Sequence, residues 1–200
     1  MHLHRLPQMR CPLPGAHAIH VLRRTTRSAP PSAPRLALDA RSVKSASMKP
    51  RIDHRAINPE AMKAMWGLET YVHKSGLPEM LLHLIKLRVS QINGCAYCID
   101  MHSKDLRAGG ETEQRLYLLN AWREAPFYTE QERAALAWAE ALTLVSESHV
   151  PDKIFEEARR HFSEKELIDL SVAIVTINGW NRLSIAFRSV PGSYQPPKKS

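Results

Sequence analysis

Two capping boxes set the terms for this chain. Thr129-Glu-Gln-Glu132 and Ser163-Glu-Lys-Glu166 each place a hydroxyl three residues ahead of a glutamate and just before an apolar run. The hydroxyl accepts a first-turn N–H and the glutamate accepts the N–H of the cap itself, so each box predicts a helix start. Helical spacing follows the first box at Ala135, Leu136, Ala139, Leu142 and Val145. It follows the second at Leu167, Leu170, Val172, Ile174, Val175 and Ile177, ending near Phe187 before Pro191-Gly192. The Val/Ile-rich stretch 172–177 has strand propensity, but its cap and length favour a buried helix.

Other starts fit the same scheme. Asn58-Pro59 is an N-cap with proline at the first helical position, leading into Met62, Met65, Trp66, Glu69 and Val72. Pro78 precedes Leu81, Leu82, Leu84, Ile85 and Leu87, a run that carries His83. A short helix is expected around 112–119, and Pro151-Asp152 opens another. No βαβ alternation is visible, so the reading is all-α. The weight of apolar helix surface points to a homo-oligomer.

Between the second of these helices and the short one lies Cys95-Ala-Tyr-Cys98, with His102 four residues on. Asn93-Gly94 reads as a turn, 95–108 is free of proline, and Gly109-Gly110 is a stop. The three side chains therefore share one face at the start of a helix. A thiol reacts as its thiolate, and the first turn of a helix favours an anion. His102 is placed to ease the ionisation of Cys98. Helical i,i+3 side chains sit about 5–6 Å apart at Cβ, and a disulfide needs about 3.5–4.5 Å. A small adjustment lets the pair close and reopen, which suits a reversible couple. Zinc is the competing reading: Cys95, Cys98 and His102 are acceptable ligands and His83 offers a fourth. Structural zinc sites draw on two separated pairs, and there is no second Cys pair, so neither a metal nor a cofactor is expected. Two buried thiols in a metal-free helical binding module is the third reading.

Charge is divided unevenly. Residues 1–50 hold nine Lys/Arg and one acid, Asp39, whereas 51–200 hold 19 of each sign. The net +8 thus belongs to an Arg-, Pro- and Ser-rich tail that includes Ala29-Pro-Pro-Ser-Ala-Pro34. Residues 1–50 are expected to be a disordered appendage, with a translation start at Met48 as the alternative, and 51–196 the folded domain. Without basic charge on a folded face, a nucleic-acid partner is not expected. Neither a secretory core nor an ~18-residue apolar span is present. A Cys pair used for turnover fits a reducing cytoplasm.

Several segments resemble the alkylhydroperoxidase D-like core of the carboxymuconolactone decarboxylase superfamily. They are Ile85-Lys-Leu-Arg88, Ser90-Gln-Ile-Asn-Gly-Cys-Ala-Tyr-Cys-Ile-Asp-Met-His102, Trp122-Arg-Glu-Ala-Pro126, Glu132-Arg-Ala-Ala-Leu-Ala-Trp138 and Ile177-Asn-Gly-Trp-Asn-Arg182. The likeness spans about residues 52–196. It implies an oligomeric all-α bundle and a thiol peroxidase acting on organic hydroperoxides or hydrogen peroxide. Cys98 matches the peroxidatic thiol, Cys95 the resolving thiol and His102 the proton relay. A dithiol, lipoyl- or thioredoxin-like, would be the reductant. Two positions depart from the family pattern. Where well-described members carry a Glu twelve residues before the first Cys, this chain has His83, a residue able to relay protons near neutral pH. Where some members carry His between the cysteines, it has Tyr97. Ring-lactone decarboxylation ranks low, because that branch generally lacks the Cys pair. For other residues the plainer reading is expected: Trp66, Trp138 and Phe187 in core or interface, Met62 and Met65 filling gaps, and Tyr97 packing. Asn178, Asn181 and Arg182 are expected at a helix junction, a subunit contact or a pocket.

Overall fold

A computed structural model describes residues 48–197. The tail expected to be disordered lies, up to residue 47, outside the described residues, as does the stretch a start at Met48 would remove. Among the described residues the chain is all-α and has no strand. Its helices are α1 (His54–Ile57), α2 (Pro59–His73), α3 (Glu79–Asn93), α4 (Ala96–Ala108), α5 (Glu113–Leu118), α6 (Glu130–Thr143), α7 (Val145–Ser148), α8 (Asp152–His161) and α9 (Glu164–Phe187). A 3-10 turn, Leu119–Ala121, extends α5.

The caps act where the sequence places them. Asn58 accepts the Ala61 N–H at the head of α2. Thr129 and Ser163 form complete capping boxes on α6 and α9. The 172–177 run is helical, in the middle of α9. Its strand propensity loses to the cap behind it and to burial on α3 and α6. The two four-residue helices α1 and α7 carry no periodic signal and were not expected.

α3 is the central helix, packed against α4, α6 and α9, while α2 lies along α9 and α8 along α6. The core is Leu84, Ile85, Leu87 and Val89 of α3 with Leu136 and Ala139 of α6 and Leu170, Ala173, Ile174 and Ile177 of α9, all 1% exposed or less. Each large side chain buried this way contributes about 1.5–3 kcal/mol, so this apolar seam fixes the helices that carry polar groups at its end. Gly179 in α9 is part of that fit. A Cβ there would come within 2.9 Å of Met65 Cε on α2, so the missing side chain lets α2 and α9 close together beside Trp66 and Trp180. Trp138 is buried as expected, and Phe187 stacks on His54 at 5.2 Å.

Candidate active site

The thiols owe their position to one turn. α3 ends at Gly94, whose φ of 68° is the left-handed conformation that glycine adopts without penalty. The Cys95 N–H bonds back to Ser90 O at 3.0 Å, and α4 begins one residue later. Cys95 is therefore the N-cap, and its sulfur accepts the Cys98 N–H at 3.4 Å. A sulfur does here what a Ser or Asp oxygen usually does. Both cysteines are free thiols and 1% exposed.

α9 closes the other side of the pair. Asn181 and Ser184 stand beside the sulfurs and ease their ionisation. Fully buried Asn181 is held in turn: it donates to Ser90 Oγ at 3.1 Å and accepts from Asn93 at 2.9 Å. The two thiols share a proton in this setting. The Cys98 S–H and N–H directed at Cys95 outweigh burial and bring Cys95 down to about 7, with Ser184 and Asn181 assisting. The same sharing, together with burial, pushes Cys98 up. The pair thus holds one negative charge near neutral pH and resists a second. His102, expected to ease that ionisation, is not among its main causes; the Cys98 S–H and N–H and the α9 side chains are.

Beside the pair lies a cavity of about 400 Å³. Cys98 lines it and Cys95 does not. α2 contributes Trp66 and Glu69, α3 His83 and Lys86, α4 Tyr97, Met101, His102 and Asp105, and α9 Ile177, Trp180 and Ser184. Tyr194, Pro196 and Pro197 from the C-terminal segment complete the wall. That segment is strapped onto α4: Lys104 donates to Tyr194 O at 3.0 Å, Gly192 N–H to Asp100 at 3.0 Å, and Tyr194 OH to Asp105 Oδ1 at 2.6 Å.

His83 and His102 face each other with ring centroids 5.7 Å apart. Asp105 Oδ2 lies 3.5 Å from His102 Nδ1 and 3.7 Å from His83 Nδ1, beyond normal hydrogen-bond length. Burial lowers the pKa of both imidazoles, against the pull of Asp105, and Lys86 adds to the lowering. Both are neutral at physiological pH. Burial works to raise Asp105, but His102, Tyr194 and His83 hold it below the usual carboxylate range. One ring nitrogen from each histidine and an Asp105 oxygen all lie within 4.8 Å of one another, the metal-capable cluster found among the described residues. Neither cysteine belongs to it, so the competing zinc reading, both thiols with His102 and His83, is not the arrangement found. Behind this wall Lys86, 2% exposed, pairs with Glu69, which also accepts Trp180 Nε1–H at 3.2 Å. Burial raises Glu69, yet Lys86 outweighs it and keeps the carboxyl ionised.

The structure brings the four candidates, Cys95, Cys98, His102 and His83, into one locality. Trp66, expected in core or interface, is half exposed and stands against Trp180 at 5.1 Å on the cavity wall, where its stretch of α2, with Glu69 and His73, fronts the cavity. One reading needs correction. Tyr97 does more than pack: it stands at the cavity edge under the Arg55 guanidinium, 5.7 Å from its ring centroid. Asp105, Ser184, Lys86, Glu69, Trp180 and Tyr194 were missed. Asp105 had a signal, since it lies three residues beyond His102 and seven beyond Cys98 on one helical face.

A model of the carboxymuconolactone decarboxylase family matches residues 59–141. YdfG, an uncharacterised protein of Bacillus subtilis (strain 168), is 48% identical over 139 residues, which is 70% of this chain and 95% of that one. The crystal structure of a protein of unknown function from Agrobacterium tumefaciens, with antioxidant defence of the AhpD kind as its suggested role, superposes with a TM-score of 0.69 at 49% identity. That match covers 75% of this chain and all of the other. The debrominase Bmp8 superposes at 0.60 with 25% identity, over 69% of this chain and 74% of its own. A cysteine-to-alanine variant of Bmp8 has been crystallised with 2,3,4-tribromopyrrole.

Proposed function

The chain belongs to the carboxymuconolactone decarboxylase family, and on that footing we propose that it is a thiol-dependent peroxidase. The observation that carries this is the asymmetry of the Cys pair. The pair carries one charge, which rests on Cys95, and Cys98 is the sulfur on the cavity wall, so Cys98 becomes the nucleophile by passing its proton to Cys95. Cys98 attacks the distal oxygen of a hydroperoxide and the O–O bond breaks. The alkoxide leaves with a proton relayed through His102, as an alcohol, and Cys98 becomes a sulfenic acid. Cys95 then attacks the Cys98 sulfur and water departs, leaving a Cys95–Cys98 disulfide. A dithiol, lipoyl- or thioredoxin-like, supplies the two electrons that reopen it. His83 occupies the family's Glu position beside His102 and serves the same relay.

A protein working this way belongs in a reducing compartment, and we place it in the cytoplasm. Among the described residues no helix is long and apolar enough to cross a membrane. Homo-oligomers fit the exposed apolar residues Ile168 and Val175, one heptad apart on α9 and each 61% exposed.

A second reading has its own support. Trp66, Trp180, Tyr97 and Tyr194 give the cavity an aromatic wall beside the reactive sulfur. Such a wall suits a halogenated aromatic of the kind Bmp8 binds. There the dithiol pair would exchange the carbon–bromine bond for carbon–hydrogen, releasing bromide and closing the same disulfide. Turnover with a dithiol reductant separates the readings. Peroxide consumption lost in Cys98→Ser is the expected result. Bromide release without peroxide consumption favours the second reading, and thiols inert to both substrates point to a non-enzymatic helical module.

A further inference from the structure

We propose that His83, His102 and Asp105 form a binding site for a first-row divalent cation, with zinc the best match. It does not rest on the peroxidase reading. Three observations carry it.

The first is spacing. Asp105 Oδ2 stands 3.5 Å and 3.7 Å from the Nδ1 atoms of His102 and His83. These distances are too long for hydrogen bonds. They are close to the ligand-to-ligand edge of a tetrahedral zinc site, about 3.4 Å for bonds of 2.0–2.2 Å, and the edge between the two imidazoles, within 4.8 Å, is one that side-chain rotation on binding can close.

The second is unmet need. Both ring nitrogens of His102, which is 4% exposed, and Nδ1 of His83 lack any hydrogen-bond partner. A neutral imidazole carries one donor and one lone pair, and leaving such atoms buried and unpaired is destabilising. A cation accepting a lone pair from each ring partners two of these three nitrogens.

The third is support behind the ligands. Tyr194 OH bonds Asp105 Oδ1 at 2.6 Å, which turns Oδ2 toward the rings. This is the second-layer orientation metal-binding carboxylates rely on. Two imidazoles and a carboxylate are a donor set zinc accepts, leaving a fourth position toward the cavity for water or substrate. The nearby Lys86 charge is engaged by Glu69.

A cation seated there occupies His102, so a loaded protein reduces peroxide more slowly if the relay reading holds. The binding test does not depend on that. The full-length chain is stripped of metal, kept reduced and titrated with zinc by calorimetry and with cobalt(II) by visible absorption. The wild type, His83→Gln, Asp105→Asn and the double variant Cys95→Ser/Cys98→Ser are compared, with circular dichroism confirming that each is helical. One site is expected in the wild type and in the double Ser variant, without thiolate-to-cobalt charge-transfer bands. Its affinity falls at least about tenfold in each of the two ligand variants. The difference between variants is the readout, because His2, His4, His17 and His20 offer background sites these substitutions leave untouched. Unchanged affinity in both ligand variants, loss of the site in the double Ser variant, or no binding by the wild type would each overturn the assignment.

Discussion

The cavity has two polar walls, and they are built on opposite plans. On the sulfur wall every group is partnered. Cys95 accepts the Cys98 N–H, Asn181 and Ser184 stand beside the sulfurs and ease their ionisation, and Ser90 and Asn93 hold Asn181. On the imidazole wall three ring nitrogens have no partner, although His102 is as buried as the thiols. Partnering fixes a charge and its geometry. Withholding partners leaves lone pairs ready for a proton or a cation. The first wall is suited to holding a nucleophile, the second to exchanging what binds to it.

Cys98→Ser tests this contrast most severely. Dithiol-dependent peroxide consumption is expected to fall by at least about 10⁴-fold, the scale of removing a covalent nucleophile. His102→Gln on the other wall is expected to cost about 10²–10⁴-fold, the range of proton-transfer catalysis, while one disulfide still forms per chain. Equal losses in both would erase the distinction between the walls.

Lys86→Met attacks the support of the imidazole wall. It leaves the Glu69 carboxylate buried without its counter-ion, and urea unfolding is expected to show a loss of about 3–5 kcal/mol. Pairing it with Glu69→Gln should recover most of that. Asn181→Ala probes the sulfur wall. Loss of its two hydrogen bonds, to Ser90 and from Asn93, costs about 1–3 kcal/mol of stability, although both keep a second partner in Lys86 O and Asn178 Oδ1, and the first ionisation of the thiol pair moves up from about 7. In the wild type, a thiol with a lowered pKa is reactive above that value, so alkylation speeds up as pH rises through about 7; in the variant the rise comes at higher pH. The smallest effect expected is from Tyr194→Phe. Loss of its bond to Asp105 costs about 1 kcal/mol, seen as a small shift in the denaturant midpoint.

Much of the fold was legible because helix signals are local. Asn58, Thr129 and Ser163 announce their helices within four residues, and the Cys–Cys–His spacing announces a reactive helix start. What was hidden is what depends on contact between distant segments. Asn181 and Ser184 reach the sulfurs only because α9 packs on α3 and α4. Lys86 reads as a polar break in an apolar run, and only the fold shows it buried against Glu69 seventeen residues earlier. Trp66 reads as core or interface from its spacing, and only the fold shows it on a cavity wall against Trp180 of α9. Tyr194 lies in a segment with no periodicity at all, fixed by Lys104, Asp100 and Asp105 of α4.

The direct test of the sulfur wall is to find which cysteine a peroxide oxidises. Each single variant, Cys95→Ser and Cys98→Ser, is given one equivalent of hydroperoxide with dimedone present, and the adduct is mapped by mass spectrometry. A sulfenic-acid adduct on Cys98 in Cys95→Ser, with Cys95 unmodified in Cys98→Ser, is the expected result. An adduct on Cys95 while Cys98 stays unmodified would contradict it.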